Sequence, residues 1–375
     1  MAKTIQILGG YGGVGRSLAK MLLQHTDANL LISGRNLQQA KVIAGQLGAQ
    51  FPGRAISALY ADASDIASLR VAFAQTDLVV MATSTPQYIP QVAEAALACG
   101  ADYLDMLVRQ DSPDALHYLE ESIRAKGRIC IVQAGIHPGL PAVFIRYGAR
   151  FFDQYHTANV ALAMNERFEN PSSTVELVAD MVDFTSKIVK NGKWTDAGYR
   201  DMLTFEFGSP LGRRTCYPLL LRELLPLQET YQLKQMGMYV AGFNWVVDYF
   251  VFPFIILLQK IKKGFGLRLS QWLMYLGVNY FSPPEKGIAM VFQAEGIHDN
   301  KPMTCDIIAR AADGYLFTAL AVAACIKQYL AGNLTEPGIH LMGLVVEPEQ
   351  LMEDLKALGL QMDEKISAGT PSFAA

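Results

Sequence analysis

Residues Ile5 to Ala19 read Ile-Gln-Ile-Leu-Gly-Gly-Tyr-Gly-Gly-Val-Gly-Arg-Ser-Leu-Ala, an apolar run, a glycine-rich turn and the start of an amphipathic segment. Few folds use that order. Gly10, Gly12 and Gly15 fill the three glycine places of G-x-G-x-x-G, with Tyr11, Gly13 and Val14 between them. The first glycine allows a tight turn, the second lets backbone approach a pyrophosphate, and the third lets helix and strand pack closely. Val14, Leu18, Met21 and Leu22 recur at helical spacing, so the turn opens a helix. The free N–H groups and positive dipole end of such a helix favour phosphate. A dinucleotide site is predicted over Gly10 to Gly15.

A second apolar run, Asn29 to Ser33, follows at the distance of a βαβ unit. An NAD site carries a carboxylate at the end of that strand, for the ribose hydroxyls. This chain has Ser33-Gly34-Arg35-Asn36 instead. The Ser33 hydroxyl and the Arg35 guanidinium both suit a 2′-phosphate. NADP is therefore expected over NAD, the competing reading being that Arg35 only begins a solvated helix.

Strand-like runs recur at Ile56 to Tyr60, Leu78 to Ala82, Tyr103 to Leu107 and Ile129 to Gln133, separated by helical stretches. Such alternation predicts an α/β fold with an N-terminal Rossmann domain, a doubly wound parallel sheet. Ligands of these sheets bind beyond the carboxyl ends of the strands. Asp62 and Ala63 follow the third run, and Ala82, Thr83 and Ser84 close the fourth. These residues join the cofactor set, Asp62 as acceptor of an adenine amino group or as a helix cap. His137, after the sixth run, is the foremost titratable candidate for catalysis, followed by Tyr88 and Asp105. A hydrogen-bonded turn histidine is the other reading of His137.

The net charge of the 375 residues is -3, which gives nucleic acid no basic surface. Five scattered cysteines without C-x-x-C pairing point to a reducing cytoplasm and to neither zinc nor disulfides. Strand-like sequence begins within a few residues of Met1, so no signal peptide is expected. Ser33, Ser84 and Ser172-Ser173 lack a G-x-S-x-G elbow, and a serine hydrolase has no support.

Gly9 to Gly15, Ala82-Thr83-Ser84-Thr85-Pro86, Tyr103-Leu104-Asp105 and Ala134 to Leu140 together resemble the saccharopine dehydrogenase-like oxidoreductases. So do Ala312 to Ala319, Pro337-Gly338 and Pro348 through Leu355 near the end. The resemblance implies an NADP-binding Rossmann domain, a second domain with substrate contacts and often a dimer surface, and a C-terminal segment returning to the first domain. Its better known members reduce or form a C–N bond between an amino acid and an oxo acid or aldehyde; others are membrane-associated. Where the amino-acid-processing members tend to carry Asp before Pro-Gly, this chain has His137.

The expected domains are residues 1–145, binding NADP, residues 146–310, an α+β substrate and dimerisation domain, and residues 311–375, helices and a strand returning to the first. Within the second, 237–281 is a hydrophobic helical insertion. Gly237 to Leu258 is apolar but for Asn244 and Asp248, and the flank carries Lys260, Lys262, Lys263 and Arg268. Asp248 and Pro253 argue against a bilayer span. Two readings remain, a hairpin touching the membrane from the cytoplasmic side and a buried or homodimer-forming helix pair.

The leading expectation is an NADP(H)-dependent oxidoreductase acting on an apolar or lipid-like substrate at a membrane surface. An alternative is imine reduction on a small amino-acid-derived substrate, with Arg200, Arg213, Arg214 or Arg222 clamping a carboxylate. A third is a membrane-associated NADPH-binding protein without turnover.

Overall fold

The computed structural model describes residues 2–168, 174, 186–262 and 265–368. Ser172, Ser173 and Lys263 lie outside these residues. The chain divides into two compact units, one of Met1–Val143 with Tyr315–Leu360 and one of Phe144–Gly314 with Gln361–Ala375.

The first unit is built on β1 (Thr4–Leu8), β2 (Asn29–Gly34), β3 (Ile56–Tyr60), β4 (Leu78–Met81), β5 (Asp102–Asp105) and β6 (Ile129–Val132). A strand from beyond the other unit, Gly338–Leu341, adds to the edge beside β6. All pairs are parallel, with β15 (Gly338–Leu341) first in the order β15-β6-β5-β4-β1-β2-β3. The order reverses between β1 and β4, where the classic fold binds its ligand. Helices α1 (Gly13–His25), α2 (Leu37–Gln50), α3 (Ile66–Phe73) and α4 (Ile89–Ala98) make the crossovers. Strands β4, β5 and β6 are buried at every residue, whereas no residue of β3 is fully buried. Layers cover both faces of a central parallel strand but not of an edge one.

One polar network lies inside this sheet. Gln6 on β1 donates to the Ser33 hydroxyl at 3.0 Å and accepts from Thr76 at 2.9 Å. Fully buried polar groups must find such partners.

The second unit carries a mixed sheet. Its central strands are β7 (Gln154–Asn165), β13 (Gly287–His298) and β14 (Lys301–Ala311), joined antiparallel, with β12 (Gln235–Ala241) parallel to β7. The C-terminal strand β16 (Gln361–Ala368) pairs with β14 from Met303 to Arg310. Only part of the C-terminal segment therefore returns to the first unit. The last strand adds to the second sheet, because β14 offers it an open edge.

The hydrophobic stretch 237–281 is not one helix. Its first residues lie in β12, followed by a π-helical turn at Val247–Val251, a helix at Phe252–Ile261 and another at Leu267–Phe281. The polar residues that interrupt the apolar run fold it. The Asn244 side chain accepts from the N–H groups of Val246 and Val247 at 3.1 and 3.0 Å and donates to Gly277 O at 3.1 Å. Asp248 accepts from Phe243 N–H at 3.0 Å, and only a glycine fits at 242, where a Cβ would stand 2.0 Å from Asp248 Oδ2. Among the described residues no helix is long and apolar enough to cross a membrane.

Candidate active site

The loops after β1, β2 and β4 meet at the glycine turn. Gly9 takes φ +89° and donates to Ser33 O at 2.8 Å, and a Cβ on it would stand 2.5 Å from Ala82 O. The turn is therefore tightest one residue ahead of the motif's first glycine. A Cβ at Gly10 would press on Ile32 at 2.9 Å, and one at Gly15 would meet Gly9 O at 2.5 Å and Gly10 Cα at 2.7 Å. Gly15 thus lets α1 sit directly on the turn. The first helical bond runs from Arg16 N to Gly12 O at 3.0 Å, and no side chain caps Gly12. The N–H groups of Gly13, Val14 and Gly15 lie before that bond and have no intrahelical acceptor. This is a cradle for a diphosphate.

Two tyrosines shape the cradle. Tyr11 packs on Gly34, and its hydroxyl accepts from Asn36 N–H at 3.3 Å. The Tyr315 ring covers Gly13, where a Cβ would stand 3.0 Å from its Cγ. Tyr11 lies within the motif, but nothing local in sequence links Tyr315 to it.

Residues 5–135 match the domain described as Saccharopine dehydrogenase NADP binding domain. These residues form an NADP-binding domain of the saccharopine dehydrogenase type. The first unit is accordingly an NADP-binding Rossmann domain, and its glycine cradle fits the cofactor's diphosphate. The chain is 24% identical to the carboxynorspermidine synthase of Vibrio cholerae over 414 aligned positions, covering 97% of this chain and 98% of the relative. It also matches the apo, histidine-tagged saccharopine dehydrogenase (L-Glu forming) of Saccharomyces cerevisiae with a TM-score of 0.70 at 16% identity, over 98% of this chain and 100% of that one. The second likeness shows a shared fold.

Within the saccharopine dehydrogenase-type domain, the end of β2 departs from the sequence reading at one residue. Ser33 is fully buried, and its hydroxyl accepts from Gln6 and donates to Ile7 O at 3.3 Å. It braces β1 against β2 and does not face a phosphate. Arg35 is exposed and makes no hydrogen bond or ion pair among the described residues. That guanidinium keeps its N–H donors open to solvent.

Asp62 and Arg35 face the same region. Ser64 donates to Asp62 Oδ1 from its N–H at 2.9 Å and its hydroxyl at 2.8 Å. The Ser64 N–H bond chiefly holds the Asp62 carboxyl below its usual range, with the hydroxyl bond and the Arg35 charge adding to it. The cap of α3 is Asp65, which accepts from Ala67 N–H at 3.0 Å. The helix-cap role weighed for Asp62 thus belongs to its neighbour. Ala63 is buried, Ala82 and Thr83 are half-buried, and Ser84 is exposed. Thr83 and Thr85 share a hydroxyl bond of 2.8 Å that stiffens the turn after β4.

Of the catalytic candidates, Asp105 is fully buried and fully engaged. Its Oδ1 accepts from Leu107 N–H at 3.1 Å and Gln133 N–H at 3.2 Å, and Tyr103 donates to Oδ2 at 3.3 Å. Burial pushes its pKa up to about 6. This carboxylate ties the ends of β5 and β6 together, which makes it a positioning residue. Tyr88 is half-buried on the turn Pro86–Tyr88 and packs against the apolar core under α4. His137 is half-buried in the loop after β6, and desolvation pulls its pKa down to about 4. Gly139, at φ +123°, closes that loop so tightly that a Cβ would stand 2.6 Å from Gly135 O.

In the second unit, Arg200, Arg213 and Arg222 are exposed and Arg214 is half-buried. Arg214 donates from Nε to Leu211 O at 2.9 Å and from Nη2 to Asn165 Oδ1 at 3.0 Å. A guanidinium has five N–H donors, so others remain. No group of acids, histidines or cysteines able to hold a metal ion occurs among the described residues.

Proposed function

We propose that the protein is an NADP(H)-dependent oxidoreductase that reduces the C=N bond of an imine, formed between an amine and a carbonyl compound of which at least one bears a carboxylate. The observation that carries the reading is the alignment with carboxynorspermidine synthase along 97% of the chain, behind a matching NADP-binding domain. That relative's name gives a carboxylated amine as its product. Nothing in the comparisons favours the apolar substrate expected from the hydrophobic segment.

The cofactor, when bound, supplies the hydride. The chain has to orient the pair and keep water away. His137 fits this role in one respect. With its pKa near 4 it is neutral at neutral pH and offers a hydrogen bond, not an acidic proton. A protonated imine accepts hydride at carbon and becomes a neutral amine without further proton donation. A ketone would yield an alkoxide and call for an acid. Arg214, with unused donors, supports a carboxylate anchor.

The test is to incubate the protein with amine and carbonyl pairs and NADPH deuterated at C4. One deuterium in a new secondary amine is the expected product. An alcohol formed from the carbonyl alone would refute the imine step. Tight NADPH binding with no product from any pair would favour a protein without turnover.

A further inference from the structure

The helices Phe252–Ile261 and Leu267–Phe281 are apolar on two opposed sides. Their inner side is accounted for, since Val247, Val251, Ile255, Met274 and Val278 pack together in a buried cluster with Phe243. Their outer side is also apolar. Trp245, Phe250 and Phe281 form an exposed aromatic group, with Trp245 ring centroids 6.0 Å from Phe250 and 6.3 Å from Phe281. Ile261, Phe265 and Trp272 around the turn between the helices are 68%, 51% and 51% exposed. Clustered exposed aromatic groups of this kind mark interaction surfaces.

Charge distinguishes what can cover it. From Tyr249 to Pro284 the sequence contains no Asp or Glu but four cations, Lys260, Lys262, Lys263 and Arg268, of which Lys262 and Arg268 are described and exposed. A second copy docking through this face would meet the same face by symmetry. The stretch from Tyr249 to Pro284 of that copy would bring no carboxylate to these cations. A bilayer with anionic lipid offers hydrocarbon for the aromatic groups and negative charge for the cations together. The helix Leu267–Phe281 has 15 residues, about 22 Å at 1.5 Å per residue. It is shorter than the roughly 30 Å hydrocarbon core, so it would lie in the interface and not cross it.

We infer that the outer faces of residues 245–262 and 265–281 are a docking surface for an anionic lipid bilayer. The aromatic groups enter the headgroup boundary, and Lys262 and Arg268 meet the lipid phosphates. This surface is independent of the proposed reaction, since it takes lipid as a support and not as a substrate.

Flotation of the full chain with vesicles of phosphatidylcholine, with and without phosphatidylglycerol, tests it. Anionic vesicles are expected to carry at least about 25-fold more protein than neutral ones, two or more cations each contributing about fivefold. Lys262→Gln with Arg268→Gln should weaken that binding by about 25-fold on the same scale. Trp272→Ser should weaken it on both vesicle types, and NADPH affinity should stay at its original value in every variant, which certifies the fold. Absence of vesicle binding, or binding untouched by these substitutions, would overturn the inference. So would self-association in lipid-free solution that Trp272→Ser abolishes, which would assign the face to a second copy.

Discussion

Tyr11 rests on Gly34 so closely that a Cβ at that glycine would stand 2.5 Å from Tyr11 Cε1 and 2.8 Å from its hydroxyl oxygen. The phosphate turn and the end of β2 are thus coupled through one ring. Because the obstacle is a movable side chain, Gly34→Ala is expected to fold normally while displacing Tyr11 and weakening NADPH binding about threefold to tenfold. A coupling of about 1 kcal/mol lies within the range for residues in contact. Adding Tyr11→Ala should remove most of the effect of Gly34→Ala, as calorimetric titration of the three variants would show. Strictly additive losses would deny the coupling.

Arg35 is the cation we propose for telling NADPH from NADH. Hydrogen bonds to charged groups contribute about 1.5–3 kcal/mol. Arg35→Ala should therefore lower NADPH affinity by about tenfold to a hundredfold and leave NADH affinity nearly unchanged. Parallel titrations read the difference, and an equal loss for both would show that Arg35 does not meet the 2′-phosphate.

Gly15 differs from Gly34 in what surrounds it. A Cβ there would strike backbone, Gly9 O at 2.5 Å and Gly10 Cα at 2.7 Å, and backbone in a tight turn does not yield. Gly15→Ala is expected to cost about 1–3 kcal/mol of stability by overpacking, with NADPH binding lost alongside. Urea unfolding and cofactor titration measure the two effects. Unchanged stability would mean that α1 can retreat from the turn.

These three sites show how far the sequence is legible. The glycine spacing and the continuous apolar strands made the parallel sheet and its phosphate turn readable, because each rests on local pattern. Ser33 was misread because its direction depends on Gln6 and Thr76, and Thr76 is brought beside β1 only by the sheet. Tyr315 could not be foreseen for the same reason. The apolar run from Gly237 concealed β12, since a continuous hydrophobic stretch does not distinguish a buried strand from a helix. Asn244, a mere break in the apolar run by sequence, and Asp248, by sequence only an argument against a membrane span, are the residues that turn the chain there.

Asp105 gives stability a pH dependence with a definite sign. Its folded pKa of about 6 lies above the ordinary value near 3.9, so between these values the folded state binds more protons. Its contribution to stability is present at low pH and is lost as pH rises through about 6. Asp105→Asn keeps an oxygen for Leu107 and Gln133 and removes the buried charge. It should equal or exceed the original stability at neutral pH and abolish this part of the pH dependence. Asp105→Ala strands two buried N–H groups and should cost about 2–5 kcal/mol. Unfolding curves across that pH range decide, and an Asn variant as damaged as the Ala variant would contradict this account.

His137 titrates in the opposite sense. Its folded pKa near 4 lies below the usual 6.5 or so, so it contributes stability that is lost as pH falls from about 6.5 towards 4. Proton NMR of the His137 ring should show a midpoint near 4, and a midpoint near 6.5 would return it to the list of imidazolium acids.

The most direct test of the account is the rate of NADPH oxidation by purified protein given an amine, a carboxylate-bearing carbonyl compound, or both. The account predicts oxidation only when both are present, and much slower oxidation of NADH at equal concentration. Oxidation with the carbonyl compound alone, or none with any pair while NADPH remains bound, would contradict it.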